Sequence, residues 1–123
     1  MKSYSTDYYV YVYLDPTDAV AIDYGNITFD YVPFYVGKGR NNRCYAHLTD
    51  RRDTAKTRHI QNLIENGTPP IIQKIATGLS SDDAYRLESE LIKQIGTRQK
   101  IPNVPPGPLT NAILSGIGIA ALS

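Results

Sequence analysis

Glu88 is the residue whose position asks most for an explanation. In "SDDAYRLESELIKQIG" (81–96) a period of 3.6 residues puts Ala84, Leu91, Ile92 and Ile95 within about 60° of its direction. The carboxylate therefore leaves the middle of an apolar stripe. Burying it bare costs on the order of several kcal/mol, so it must be paired with a core-facing arginine, protonated or bound to a metal ion. Arg43 and His47, four residues apart, would share one face of a helix and could reach one small target together. A guanidinium fork fits a phosphate, and an imidazole exchanges protons near neutral pH. The same spacing equally suits a solvated helix face. Tyr9, Tyr11 and Tyr13 alternate through "YYVYVY", and Tyr35 follows in "FYVGKGRNNRCYAHL". Tyrosines on a strand ordinarily pack half-buried. "GKG" with Arg40 lacks the spacing of a nucleotide-binding P-loop and reads as a turn.

These side chains need a scaffold, and the period of the hydrophobic residues supplies one. Residues 8–14 alternate strictly, with the tyrosines on one face and Val10, Val12 and Leu14 on the other, which predicts a strand closed by Asp15-Pro16. "AVAIDYGNITFDYV" (19–32) alternates about Gly25-Asn26 and predicts a hairpin inserted before the next core strand, "PFYVG" (33–37). The two glycines that follow permit a sharp turn into a first helix from Arg43 to about Leu48, with Asn41 or Asn42 as its N-cap. A second helix from about Thr54 to Asn66 carries Ile60, Leu63 and Ile64 on one stripe and stops at Gly67. "PPIIQKIAT" (69–77) reads as a third strand. The last helix, about 81–95, is capped by Ser80 or Ser81, with Asp82 and Asp83 at the positive end of its dipole.

The chain of 123 residues, 41% apolar and 20% charged, has the composition and size of one globular domain. A single domain over 1–123 is expected, its core at about 8–111 and an apolar tail at 112–123. The start lacks the apolar run of a signal peptide, and no segment reaches the roughly 20 apolar residues that cross a bilayer. An intracellular protein, cytoplasmic or nucleoid-associated, is expected. Cys44 is the lone cysteine and has no partner for a disulfide. Net charge is only +1, but its distribution is uneven. Residues 38–58 gather Lys38, Arg40, Arg43, Arg51, Arg52, Lys56 and Arg58 against Asp50 and Asp53. That local basic patch suits phosphate contact.

Taken in order, the tyrosines, the "YVG" turn, the arginine and histidine and the inward glutamate resemble the GIY-YIG nuclease superfamily. The first family tripeptide falls on Tyr9-Val10-Tyr11, with tyrosine in place of glycine, and the second on Tyr35-Val36-Gly37. The family's arginine and histidine match Arg43 and His47, its glutamate matches Glu88 in "ESELIK", and its late asparagine matches Asn111 in "GPLTN". The run "FYVGKGRNNRCYAHL" is most similar to the subgroup of the LEM-domain and ankyrin-repeat nucleases and their small bacterial and phage relatives.

The resemblance implies an α+β fold, a three-stranded antiparallel sheet flanked by helices. It implies an endonuclease that hydrolyses phosphodiester bonds in DNA, with RNA also open. Glu88 would hold one Mg²⁺ or Mn²⁺, and Tyr11 would act as general base with help from His47 or Tyr35. Arg43 would favour the phenolate and stabilise the transition state. Lys38, Arg40, Lys56 and Asn111 are the expected substrate contacts, and the apolar tail could carry a homodimer or a protein partner. A binding module without catalysis, or a protein-interaction domain on the same scaffold, are the alternatives.

Overall fold

The computed structural model describes residues 5–112. Its centre is a sheet of three antiparallel strands in the order β2-β1-β3. They are β1 (Tyr8–Tyr24), β2 (Ile27–Gly39) and β3 (Ile71–Leu79). A 3₁₀ helix (Arg43–Thr49) and α1 (Ala55–Glu65) separate β2 from β3, and α2 (Ser81–Ile95) follows. The expected α+β architecture is the one observed. Among the described residues no helix is long and apolar enough to cross a membrane.

The alternation in β1 sets two layers. Val10, Val12 and Leu14 face α2 and pack with Phe29, Val36, Leu91, Ile92, Ile95 and Leu109. Tyr9, Tyr11 and Tyr13 face the other way, onto Phe34, Cys44, Ile60 and Leu63. The 3₁₀ helix and α1 thus cover the tyrosine face, and α2 covers the valine face.

One strand end differs from expectation: β1 does not close at Asp15-Pro16 but runs on to Tyr24, so that the hairpin expected at 19–32 is present as the outer half of one long β1–β2 hairpin. Proline is tolerated because β3 pairs with β1 only as far as Leu14. Among the described residues β1 has one neighbour beyond that point, and register shifts between Asp15 and Ala19 absorb the irregularity. The turn at Gly25 and Asn26 is as expected, with Gly25 at φ 62, where glycine avoids the cost of a Cβ.

The helices lie within a residue or two of expectation. Thr54 caps α1 through a reciprocal pair of bonds with Thr57, and Ser80 accepts from the Asp83 amide to cap α2. Ile64, expected on the buried stripe of α1, is exposed, while Ile60 and Leu63 are buried. β3 begins and ends two residues later than the sequence suggested.

After α2 the chain returns along the free edge of β2. The Thr110 amide and hydroxyl both donate to the Phe34 carbonyl, at 2.7 Å. Asn111 bonds both polar groups of Val36: the Val36 amide donates to Oδ1 at 3.1 Å and Nδ2 donates to the Val36 carbonyl at 2.9 Å. An otherwise open strand edge is thereby covered. The apolar tail beyond Ala112, and the partner expected through it, lie outside the described residues.

Candidate active site

The site grows from the middle of β1. Tyr11 is buried, and its phenol oxygen lies 2.7 Å from Nε2 of His47. Tyr35 packs against both, with ring centroids 6.3 Å from Tyr11 and 4.8 Å from His47. Gly37 is the register partner of Tyr11. A Cβ there would overlap Cζ and the hydroxyl oxygen of Tyr11, so glycine is what lets the ring cross the neighbouring strand.

Arg43 and His47 do not share a helix face as expected. The segment that carries them is 3₁₀, with about 3.0 residues per turn, so residues four apart diverge by roughly 120°. His47 turns inward and is 6% exposed, while Arg43 stays on the surface. Arg43 is nonetheless held close, because its Cβ and Cγ pack over the bare Cα of Gly39. Its charge acts on Tyr11, Tyr35 and His47 alike.

Glu88 is 3% exposed, on the α2 stripe with Ala84, Leu91, Ile92 and Ile95, as the helical period demanded. Its charge raises the proton affinity of both Tyr35 and Tyr11. The carboxylate and the two phenols thus belong to one electrostatic unit, although they come from opposite layers.

Burial governs the titration of this unit. It pushes the Tyr11 phenol far above the usual tyrosine range, and Arg43 only partly opposes it. Tyr35 is pushed up to about 12 by burial and by Glu88, against Arg43 and Arg52. His47 is brought down to about 4 by burial, with Lys56 and Arg43 adding repulsion. At neutral pH His47 is therefore an uncharged imidazole and Tyr11 an intact phenol, joined by one short hydrogen bond between the phenol oxygen and Nε2. The expected effect of Arg43 on the phenolate is present but outweighed.

The cations divide between two places. Lys56 lies beside the centre, with Nζ 4.7 Å over the Tyr35 ring. Lys38 lies toward the start of α2, bonded to the Ser81 hydroxyl at 2.7 Å and seated 3.1 Å over Tyr85. Arg40 stands over Tyr8 at 5.3 Å. Asn111 is buried behind β2 with its amide engaged on Val36.

The sequence had not singled out Asp50 and Arg52. Arg52 donates from Nε and Nη2 to the Asp50 carboxylate, and both charges are felt at Tyr35 and His47. They sit in a loop, where no periodicity marks them. The hydroxyls of Tyr9 and Tyr13 were also missed: the sequence showed three tyrosines where phenylalanines would have packed as well, but not what the oxygens bind. A cavity of about 390 Å³ lined by Asp15, Arg58, His59, Asn62 and Arg98 includes none of the expected site residues.

Among the described residues no three His, Cys, Asp or Glu side chains converge as a ready metal cage. A single buried carboxylate beside phenols suits a hard cation that keeps most of its shell as water and substrate oxygen, which is the habit of Mg²⁺. Glu88 fits that pattern.

No curated protein and no solved structure matches the chain. A family profile, described as LEM-3-like GIY-YIG domain, matches residues 8–114, from the first residue of β1 to beyond Asn111. Carrying that match over nearly all of its length, the chain belongs to the LEM-3-like GIY-YIG domains, a family of nuclease type.

Proposed function

We propose that this domain is a divalent-metal-dependent endonuclease that hydrolyses phosphodiester bonds in DNA. The observation that carries the reading is the buried Tyr11–His47 hydrogen bond within the electrostatic reach of Glu88 and Arg43. The attacking water gives its proton to the Tyr11 oxygen as Tyr11 passes its own proton to Nε2 of His47. A relay of this kind suits the state of the pair, because neither a free phenolate nor an imidazolium has to form before attack. Tyr35 closes the other side of His47 and limits the entry of bulk water.

Arg43, exposed but anchored over Gly39, faces the negative charge that grows on the phosphoryl oxygens. Glu88 would hold the Mg²⁺ or Mn²⁺, which supplies charge stabilisation to the leaving oxygen. Lys56 is placed for a phosphate next to the scissile one, and Lys38 and Arg40 for phosphates beyond the "YVG" turn. Asn111 is assigned a different task from substrate contact: it clasps β2 so that Tyr35 and Gly37 hold their register.

The test is cleavage of end-labelled DNA and RNA of one sequence, each in Mg²⁺, Mn²⁺ and EDTA. Metal-dependent cutting of DNA above RNA is expected. Tight binding of either strand with no cutting in any metal contradicts the reading and leaves a binding module.

A further inference from the structure

We propose that Tyr9 is a positioning residue that caps the 3₁₀ helix from outside and so sets the places of Arg43 and His47. The hydroxyl of Tyr9 accepts from the Cys44 amide at 3.0 Å and donates to the Asn41 carbonyl at 2.7 Å. In an ordinary N-cap the side chain of the capping residue accepts from the second or third helical amide. Here Asn42 occupies the cap position and makes no such bond, and Cys44 is the second helical residue. A tyrosine 35 residues earlier in the chain fills the vacancy.

The segment needs this help. A 3₁₀ helix has weak hydrogen-bond geometry and few bonds of its own. Asn41 is at φ 53, a left-handed conformation that costs free energy for a non-glycine residue. The bond from Tyr9 to the Asn41 carbonyl holds that turn, and Tyr13 adds a second clamp by donating to the Cys44 carbonyl. Both backbone groups of Cys44 are thus fastened to β1, with Arg43 on one side and His47 one turn on.

Three rungs of one strand then act in sequence. Tyr9 and Tyr13 fix the helix, and Tyr11 between them meets His47. The tyrosine that stands in place of the resembled family's glycine is the one that supplies the outer cap.

The inference rests on the nuclease reading for its kinetic consequence alone. Tyr9→Phe keeps the ring and removes both bonds. Three quantities are measured: the exchange rate of the Cys44 amide, the tautomer of His47 from ring nitrogen shifts at pH 7, and kcat with KM on DNA. The expected result is faster exchange at Cys44, a mixed tautomer at His47, and kcat lower by between about 10- and 100-fold with KM within about two-fold. A lower Tm with amide exchange, tautomer and kcat all as in wild type overturns the proposal, since that is what a packing role alone gives. If Tyr9→Phe does not fold, 3-fluorotyrosine at position 9 retains ring and bonds while strengthening the donor. It must then shift the Cys44 amide resonance and leave that of Thr57 in place; no shift overturns the proposal. Changed exchange and tautomer in a protein whose wild type cuts nothing support the cap and refute the nuclease reading, so the two failures are separate.

Discussion

The phenol oxygen of Tyr11 and Nε2 of His47 are 2.7 Å apart and buried together, on two elements that only the tyrosine face of β1 brings into contact. Burial raises the proton affinity of the first and lowers that of the second. Both groups are therefore neutral at neutral pH, a phenol beside an uncharged imidazole. Tyr11→Phe should reduce kcat by about 10²- to 10⁴-fold, the usual contribution of a positioned acid–base group. DNA affinity should stay within about two-fold. Single-turnover cleavage beside a binding titration separates the two quantities, and a parallel loss of both would contradict the assigned role.

His47 also predicts an acid sensitivity of the fold. Its folded pKa of about 4 lies below the ordinary 6.5, so between these values the unfolded chain binds the extra proton. The stabilisation is complete above pH 6.5 and is lost as pH falls through that window, by roughly 3 kcal/mol in all. Asp15, whose carboxyl burial raises but Thr17 and His59 bring below its usual value, adds to the loss only at lower pH. Denaturant midpoints for wild type and His47→Gln should converge as pH drops from 7 to 4. A constant difference would show that His47 is not buried in its neutral form.

Gly37→Ala tests the crossing of Tyr11 over β2. The added methyl overlaps the end of the buried Tyr11 ring, which has to shift to admit it. Overpacking of this kind costs about 1–3 kcal/mol. The Tyr11–His47 bond should open, so activity should fall with the Tm. A variant as stable and as active as wild type would mean that the ring does not lie where it is placed.

Asn111→Ala separates clasp from ligand. It leaves the amide and carbonyl of Val36 without their partner, at a cost of about 1–3 kcal/mol for buried backbone groups. Thermal unfolding should show the loss, whereas DNA affinity of the folded variant should be unchanged. Weaker binding at full stability would return Asn111 to the substrate contacts.

Much of this was legible in the sequence because it rests on periodicity. The strict alternation at 8–14 gave the two faces of β1, and the 3.6-residue stripe placed Glu88 inside. The cap at Ser80 followed from a side chain that bonds its own backbone. What escaped depends on tertiary pairing. Pro16 reads as a stop unless one knows that the pairing of β3 with β1 ends at Leu14.

The shared face of Arg43 and His47 presumed an α-helix, since nothing local distinguishes a seven-residue 3₁₀ segment from the start of one. The hydroxyl bonds of Tyr9 and Tyr13 span more than 30 residues and leave no local trace. Asn111 was found by its place in a motif, while its amide proves to be bound to Val36 across 75 residues.

The central claim is that Glu88 serves a metal-dependent hydrolysis, and Glu88→Gln tests it most directly because it removes the charge and keeps the shape. Wild type and variant are incubated with supercoiled plasmid in Mg²⁺, Mn²⁺ or EDTA, with circular dichroism and Mn²⁺ binding followed on the same samples. Nicked or linear plasmid is expected only for wild type with metal, together with a folded but inactive variant that has lost Mn²⁺ binding. Cutting by Glu88→Gln at the wild-type rate, or cutting by wild type in EDTA, would contradict it.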